Sequence, residues 1–220
     1  MRCALQLFAR PPIPGRTKTR LSPAVGAEGA AALYAAFIRD TCATVARAGG
    51  FDASLWVAGE PDHPALQRHG LPRRAQRGDD LGERMHGALR EGLAVADAAL
   101  VLGTDLPTLP SGHLRRAARA LRKADVVLGP AADGGYYLIG VRGRASRSLP
   151  VLFSGVRWSS SHVLADTLDL SARAGLRVAT VGPWYDVDGP EDLALLRLHL
   201  SLDPTLAPAT RAALAGCGGF

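Results

Sequence analysis

Short apolar runs alternate with longer stretches of helical periodicity along nearly the whole chain, and this alternation restricts the fold more than any other feature. The runs predict strands over 2–8, 52–57, 99–102, 126–128, 136–141 and 176–181. Between them, apolar spacings of three and four residues predict helices over 27–48, 81–96, 111–121, 160–174 and 190–200. Ser111, the run Ser159-Ser160-Ser161, and Pro190 followed by Glu191 and Asp192 serve as helix start signals. Strands separated by helices assemble side by side through crossovers, with helices covering both faces. The run 136–141 follows 126–128 after only a glycine-rich turn, so one strand is expected to run antiparallel. The expected class is therefore α/β, with three layers and a mixed, mostly parallel sheet flanked by helices.

The 220 residues contain no repeat, low-complexity tract or long linker. They are expected to form one domain over 1–220, with 203–220 a C-terminal tail made of a short helix at 208–215 and a glycine-rich end. Hydrophobic residues at 47% and charged residues at 21% exclude a disordered or collagen-like chain. The longest apolar runs, such as 96–103, fall short of the about 20 residues a membrane span requires. The N-terminal apolar stretch is broken by Gln6 and followed by Arg10 and prolines, as suits a buried first strand better than a signal peptide. Three widely spaced cysteines make no metal or disulfide pattern, so reduced thiols and a cytoplasmic location are expected. The net charge of +6 is spread along the chain, and aromatics at 5% do not interleave with it. A stacking surface for single-stranded nucleic acid is therefore not expected. The expected partners are small molecules, with neither nucleic acid nor membrane.

In an open α/β sheet, ligands bind beyond the carboxyl ends of the strands, and four such ends carry reactive side chains. The first, 9–23, gathers Arg10, Arg16, Lys18 and Arg20 around Gly15 and the three prolines that precede it. Restricted backbone with one permissive glycine lets guanidinium groups and an ammonium converge on a polyphosphate. Lys18 is one of only two lysines, so a compact point charge is set into an arginine-rich chain. An exposed basic loop is the plainer alternative. The second end places Asp105 directly after a buried strand, between Gly103-Thr104 and Leu106-Pro107. A carboxylate there suits a hard divalent cation, or it caps the turn. The third is Asp133-Gly134-Gly135-Tyr136-Tyr137, where Asp133 or a tyrosine hydroxyl faces a substrate, or where the chain makes an ordinary hairpin. The fourth, Trp184 to Leu193, puts Asp186 and Asp188 on one side ahead of a helix. Converging with Asp105, they would form a magnesium cradle; otherwise they supply negative charge at a helix N-terminus.

Together these segments resemble the nucleotide-diphospho-sugar transferase superfamily with the GT-A, Rossmann-like fold. From Cys3 to about Leu200 the chain is similar to the bacterial radical-SAM/selenodomain-associated transferases, also called arsenosugar-biosynthesis glycosyltransferases. The resemblance rests on Phe8-Ala9-Arg10, Lys18-Thr19-Arg20-Leu21, Gly78-Asp79-Asp80-Leu81-Gly82-Glu83-Arg84-Met85, Gly103-Thr104-Asp105-Leu106-Pro107, Asp133-Gly134-Gly135-Tyr136-Tyr137 and Asp188-Gly189-Pro190-Glu191-Asp192-Leu193. The first loop, the Asp-Gly-Gly turn and the last segment are also similar to phospholactate guanylyltransferases. That likeness implies metal ligands at Asp105 and Asp188, holding Mg2+ or Mn2+, with Lys18 and Arg20 on the β- and γ-phosphates. It also implies that Gln76, Gly78 and Arg84 line the nucleotide or acceptor cleft, with Asp133, Gly134, Gly135 and Tyr136 toward the acceptor. Gly189 stands where the guanylyltransferase motif has threonine, which removes a helix cap. Tyr136-Tyr137 replace smaller polar residues, which implies a different acceptor pocket.

The implied chemistry is metal-assisted transfer, with Arg10, Lys18 and Arg20 neutralising a phosphate leaving group. Nucleotidyl transfer from a nucleoside triphosphate to a small phosphorylated acceptor leads, because a departing pyrophosphate requires the denser cation loop. Glycosyl transfer from a nucleotide sugar, which the family resemblance favours, and a catalytically silent nucleotide-binding module are the alternatives. The six histidines have no metal-ligand spacing and are read as surface or core residues.

Overall fold

A computed structural model describes residues 1–217, and the end of the glycine-rich tail, 218–220, lies outside the described residues. Seven strands form one sheet in the order β3-β2-β1-β4-β6-β5-β7. They are β1 (Cys3–Ala9), β2 (Phe51–Val57), β3 (Arg73–Ala75), β4 (Ala98–Gly103), β5 (Val126–Pro130), β6 (Tyr136–Arg142) and β7 (Val178–Thr180). β6 runs antiparallel to both neighbours, β4 and β5, and the other pairings are parallel. The expected mixed, mostly parallel sheet is the observed one.

The sheet is buried on both faces, which is why β1 is apolar throughout except at the buried Gln6. Leu5, Leu7, Leu100 and Leu102 face one helical layer and pack with Leu33, Phe37 and Ile38 of α1 (Ser22–Ala48), together with Leu114 of α4 (Ser111–Ala120). Ala4, Ala99, Val101, Leu128 and Ile139 face the other layer, against Met85 and Leu89 of α3 (Leu81–Leu93) and Leu149 and Leu152 of α5 (Leu149–Leu152). Each fully buried Leu, Ile or Phe here contributes roughly 1.5–3 kcal/mol of transfer free energy. Also present are α2 (Pro64–Gln67), α6 (Val163–Arg173), α7 (Pro190–Leu202), α8 (Pro208–Gly216) and 3-10 turns at Thr19–Leu21 and Gly143–Ser148.

Several boundaries differ from expectation for identifiable reasons. α1 begins at Ser22 and kinks at Gly26, whose φ of 74° is left-handed. Its apolar helical stretch, Thr19–Ala48, has the length and mean hydropathy of a membrane span, contrary to the expectation from unbroken apolar runs. Leu33, Phe37 and Ile38 of that stretch are fully buried in the core. Neither Ser111 nor the serine run caps a helix: Pro110 and His162 occupy those N-cap positions, without side-chain caps. Asp80 does cap α3, its Oδ1 accepting from Glu83 N at 2.8 Å. At α7 the cap lost with Gly189 is replaced from inside the helix, where Asp192 Oδ2 accepts from Asp188 N and Gly189 N, both at 2.8 Å. α8 docks on α1, and the buried Asp40 carboxylate accepts from Ala209 N and Thr210 N at 3.2 and 2.8 Å. Cys3, Cys42 and Cys217 are free thiols.

Candidate active site

The carboxyl ends of β1, β2, β3, β4 and β5, together with the start of the antiparallel β6, surround a cleft of about 980 Å³. Two backbone ties assemble its floor. Val187 N donates to Asp105 O at 3.0 Å, which brings the loop after β4 against the segment before α7. Trp184 N donates to Pro130 O at 3.0 Å, which fixes that segment to the end of β5.

Lys18 sits at the centre of this floor. It adopts a left-handed conformation, φ 52° and ψ 42°, at the entry to the 3-10 turn. The loop before it is fastened by Thr17, whose buried hydroxyl donates to Pro11 O at 2.7 Å. Lys18 Nζ lies 2.7 Å from Asp105 Oδ1 and also pairs with Asp188 Oδ1. Burial by itself would depress the ammonium, but the Asp105 and Asp188 carboxylates outweigh it and hold the pKa above the ordinary lysine value. The ammonium stands 5.6 Å from the Tyr34 ring centroid. The Tyr34 hydroxyl accepts from Arg10 N at 3.0 Å and pairs at 3.0 Å with Thr104 Oγ1, which donates to Phe8 O at 2.8 Å. That chain locks the exits of β1 and β4 together, and sequence patterning gave no signal for Tyr34, which reads as an ordinary core residue of a helix.

Asp186 completes the acidic set. Burial, then repulsion from Asp105, Asp133 and Asp188, raises its carboxyl to about 7 against an opposing pull from Lys18. Its Oδ1 is buried without a hydrogen-bond partner. In metal-free protein this carboxyl binds its proton more tightly folded than unfolded, so its contribution to stability falls as the pH rises from about 4 to about 7. Asp186→Asn should therefore stabilise the EDTA-treated protein by about 2–4 kcal/mol at pH 8. The gain should shrink toward zero as the pH approaches 4. Urea unfolding across that range measures it, and a gain independent of pH would contradict the burial argument.

Of the residues expected at the site, Arg10, Arg16, Lys18, Arg20, Gln76 and Arg84 line the cleft, as do Asp105, Asp133, Gly135, Tyr136 and Asp188. Gly15, Gly78 and Gly134 do not. All three have positive φ, and they shape turns in the segments that carry the lining residues. Gln76 uses its amide N–H groups on Trp56 O and Ala9 O, at 2.8 and 3.3 Å, leaving Oε1 as its remaining polar atom. Arg84 Nε donates to Gly78 O at 3.0 Å. Asp133 Oδ1 accepts from Gly135 N at 2.9 Å, an Asx turn that makes the carboxylate partly structural. The hydroxyl of Tyr136 is buried without a partner, so its ring is what the cleft meets. His113 is a core residue, with Nδ1 2.9 Å from the Tyr137 hydroxyl.

Among the described residues, no three acidic, histidine or cysteine side chains gather closely enough to form a complete metal cage. The donor set nevertheless fits an oxygen-preferring divalent cation. Asp105 and Asp188 already reach one common cationic point, and Asp186 keeps a buried oxygen without a partner. Carboxylates outnumber the single ammonium between them, and a magnesium-like ion completes its shell with phosphates and water.

Residues 41–160 match the family model described as an uncharacterized protein conserved in bacteria, DUF2064. The chain belongs to that family. Across 98% of its length it is similar to a candidate nucleotide-diphospho-sugar transferase from Desulfovibrio desulfuricans G20, at 32% identity and a TM-score of 0.89, covering 96% of that chain. Its fold is also similar to that of a 4-diphosphocytidyl-2C-methyl-D-erythritol synthase from Anaerococcus prevotii DSM 20548, at 14% identity and a TM-score of 0.60, over 90% of this chain and 96% of that one. A CMP:2-keto-3-deoxy-manno-octonic acid synthetase complexed with CTP matches at 16% identity and a TM-score of 0.59, over 92% and 99%. No curated protein sequence matches the chain. This member of the family thus has a nucleotidyltransferase-like fold with its charged cleft at the carboxyl edge of the sheet.

Proposed function

We propose that this protein, acting as a single domain over 1–220, is a metal-dependent nucleotidyltransferase that uses a nucleoside triphosphate and a small phosphorylated acceptor. The observation that carries the reading is the Lys18 ammonium clamped between Asp105 and Asp188, with Arg10, Arg16 and Arg20 lining the same cleft. A pyrophosphate leaving group requires such a concentration of cations beside carboxylates.

Asp105 and Asp188 would hold Mg2+ or Mn2+, which when bound neutralises charge on the donor phosphates. Lys18 and Arg20 bind the β- and γ-phosphates, and with Arg10 and Arg16 in the same cleft they neutralise charge that develops on the leaving pyrophosphate. An acceptor phosphate oxygen forms a bond to the α-phosphorus while the bond from that phosphorus to the pyrophosphate oxygen breaks. The attacking oxygen is already ionised, so the protein needs no general base. Positioning and preset charge do the catalytic work, which is why the cleft requires no covalent nucleophile. Arg84, Asp133, Gly135 and Tyr136 form the acceptor side, with Gly134 shaping the turn that carries Asp133 and Gly135.

Glycosyl transfer from a nucleotide sugar is the second reading, favoured by the description of the 32% identical relative. Thermal unfolding of the purified protein with nucleoside triphosphates and with nucleotide sugars, with and without Mg2+, separates the two. Metal-dependent stabilisation by one triphosphate, greater than by any nucleotide sugar, is expected. Stabilisation by nucleotide sugars alone would replace nucleotidyl with glycosyl transfer.

A further inference from the structure

The edge of the sheet opposite the cleft carries a second concentration of cations. An open pocket of about 640 Å³ lies where β4 and β5 begin and β6 ends, and Arg122, Arg142 and Arg144 line it around Asp97 and Gly143. Arg142 is the last residue of β6, Arg144 lies in the 3-10 turn that follows, and Arg122 lies just beyond the end of α4. Guanidinium groups from two separate connections thus meet in one depression. Gly143 lets those connections close up: its N donates to Asp97 O at 2.8 Å, and a Cβ there would lie 3.2 Å from the same oxygen.

The carboxylates nearby are already engaged. Asp125 Oδ1 accepts from Arg144 Nε, and its Oδ2 accepts from Arg177 N and Nε at 3.0 and 3.3 Å. Burial alone would raise the Asp125 carboxyl, but these donors outweigh it and hold the group below the usual aspartate range. Asp97 Oδ2 accepts from Arg2 N at 2.7 Å. Arg142 Nη1 is tethered to Arg122 O, and Arg144 Nη2 to Lys123 O at 3.0 Å. Such carbonyls fix the planar groups in place without neutralising them. Among the described residues, neither Arg122 nor Arg142 has a carboxylate within ion-pair distance. Arg142 is half-buried, and a guanidinium partly withdrawn from water without a counter-charge is an unfavourable arrangement that a bound anion relieves.

We infer that Arg122, Arg142 and Arg144 form a binding site for a small phosphoryl anion, free or esterified, on the edge of the sheet away from the cleft. The site goes beyond the transfer reading above and does not depend on it. The paired N–H groups of a guanidinium match two phosphate oxygens at once. Three such groups suit a phosphoryl group, with its charge of about −2 at neutral pH, better than a singly charged carboxylate. Asp97 at the rim disfavours the denser charge of a triphosphate, and its Oδ1 can accept from a hydroxyl beside the phosphate. The six-residue strand β4 runs from this pocket toward Asp105, so about 20 Å separates the two sites.

Isothermal titration of the whole protein in EDTA with inorganic phosphate, pyrophosphate and glycerol 3-phosphate, at constant ionic strength, tests this. Arg16→Ala/Arg20→Ala serves as the background, because it weakens phosphate binding in the cleft and leaves the other edge intact. In that background at least one of the three should bind with one-to-one stoichiometry, about tenfold or more tightly than acetate. Adding Arg122→Ser or Arg142→Gln should each weaken it about tenfold, since each removes a charge-assisted fork. Arg142→Lys should recover only part of the loss, because an ammonium keeps the charge without the fork. Arg122 is exposed, so Arg122→Ser should unfold within about 2 °C of its parent, which separates lost binding from lost fold. Tightest binding of glycerol 3-phosphate would identify the ligand as an ester, and tightest binding of phosphate or pyrophosphate as the free anion. Binding no tighter than that of acetate, or unchanged in Arg122→Ser and Arg142→Gln, would overturn the site. So would binding that the wild type shows and the Arg16→Ala/Arg20→Ala background lacks, which would place the anion in the cleft. Failure of nucleoside triphosphates with Mg2+ to bind the wild-type protein would count against the transfer reading alone.

Discussion

Asp105→Asn should lower turnover by roughly a thousandfold or more while leaving the protein folded. Loss of about 4 kcal/mol of transition-state stabilisation gives that factor, and it is of the size expected when a Lewis-acid cation loses an anionic ligand. The fold should survive because the structural work of residue 105 belongs to its carbonyl, which accepts from Val187 N. An asparagine oxygen also still accepts from Lys18. Electron paramagnetic resonance titration with Mn2+ provides a second readout, and affinity should drop more than tenfold. Turnover within tenfold of wild type, with Mn2+ affinity unchanged, would remove Asp105 from the metal site.

Strands buried on both faces are legible because their side chains have no polar alternative. The runs that became β1 and β4 are of this kind, and their positions in the sheet follow from the crossover pattern. The edge strand β3 was not legible: Arg73, Arg74 and Ala75 carry no apolar signal and pair with β2 through backbone alone. The serine run 159–161 does not open a helix, for a different reason. Serines are good helix caps locally, yet here Ser161 lies against Gly134 and the neighbouring Trp158 against Gly82, and no local propensity encodes a tertiary contact of that sort. Cleft residues such as Arg16, Lys18 and Asp105 could be named because charged side chains follow buried strands, where packing does not explain them. What each one touches could not be read. The Tyr34 and Thr104 link, the partnerless oxygen of Asp186 and the use of Gln76 on backbone carbonyls depend on elements far apart in sequence.

Lys18 is the residue whose substitution should move two measurements in opposite directions. Its ammonium and a divalent cation compete for the same carboxylates, Asp105 and Asp188. A unit charge about 4 Å away is worth up to about 4 kcal/mol at an effective dielectric near 20. Lys18→Met should therefore tighten Mn2+ binding in the absence of nucleotide by tenfold or more. The same change should slow turnover by about a hundred- to a thousandfold, because the preset cation facing the leaving group is gone. Stability should fall by only about 1–2 kcal/mol, since Asp105 and Asp188 side chains are 36% and 49% exposed and water screens their repulsion. Lys18→Arg should not restore turnover, because a guanidinium does not fit where the lysine side chain is only 7% exposed. Tighter metal binding with slower turnover is the signature of a lysine that holds the carboxylates until donor phosphates draw it away. If both fell together, Lys18 would instead be organising the metal ligands; if neither changed, the clamp would have no part in the reaction.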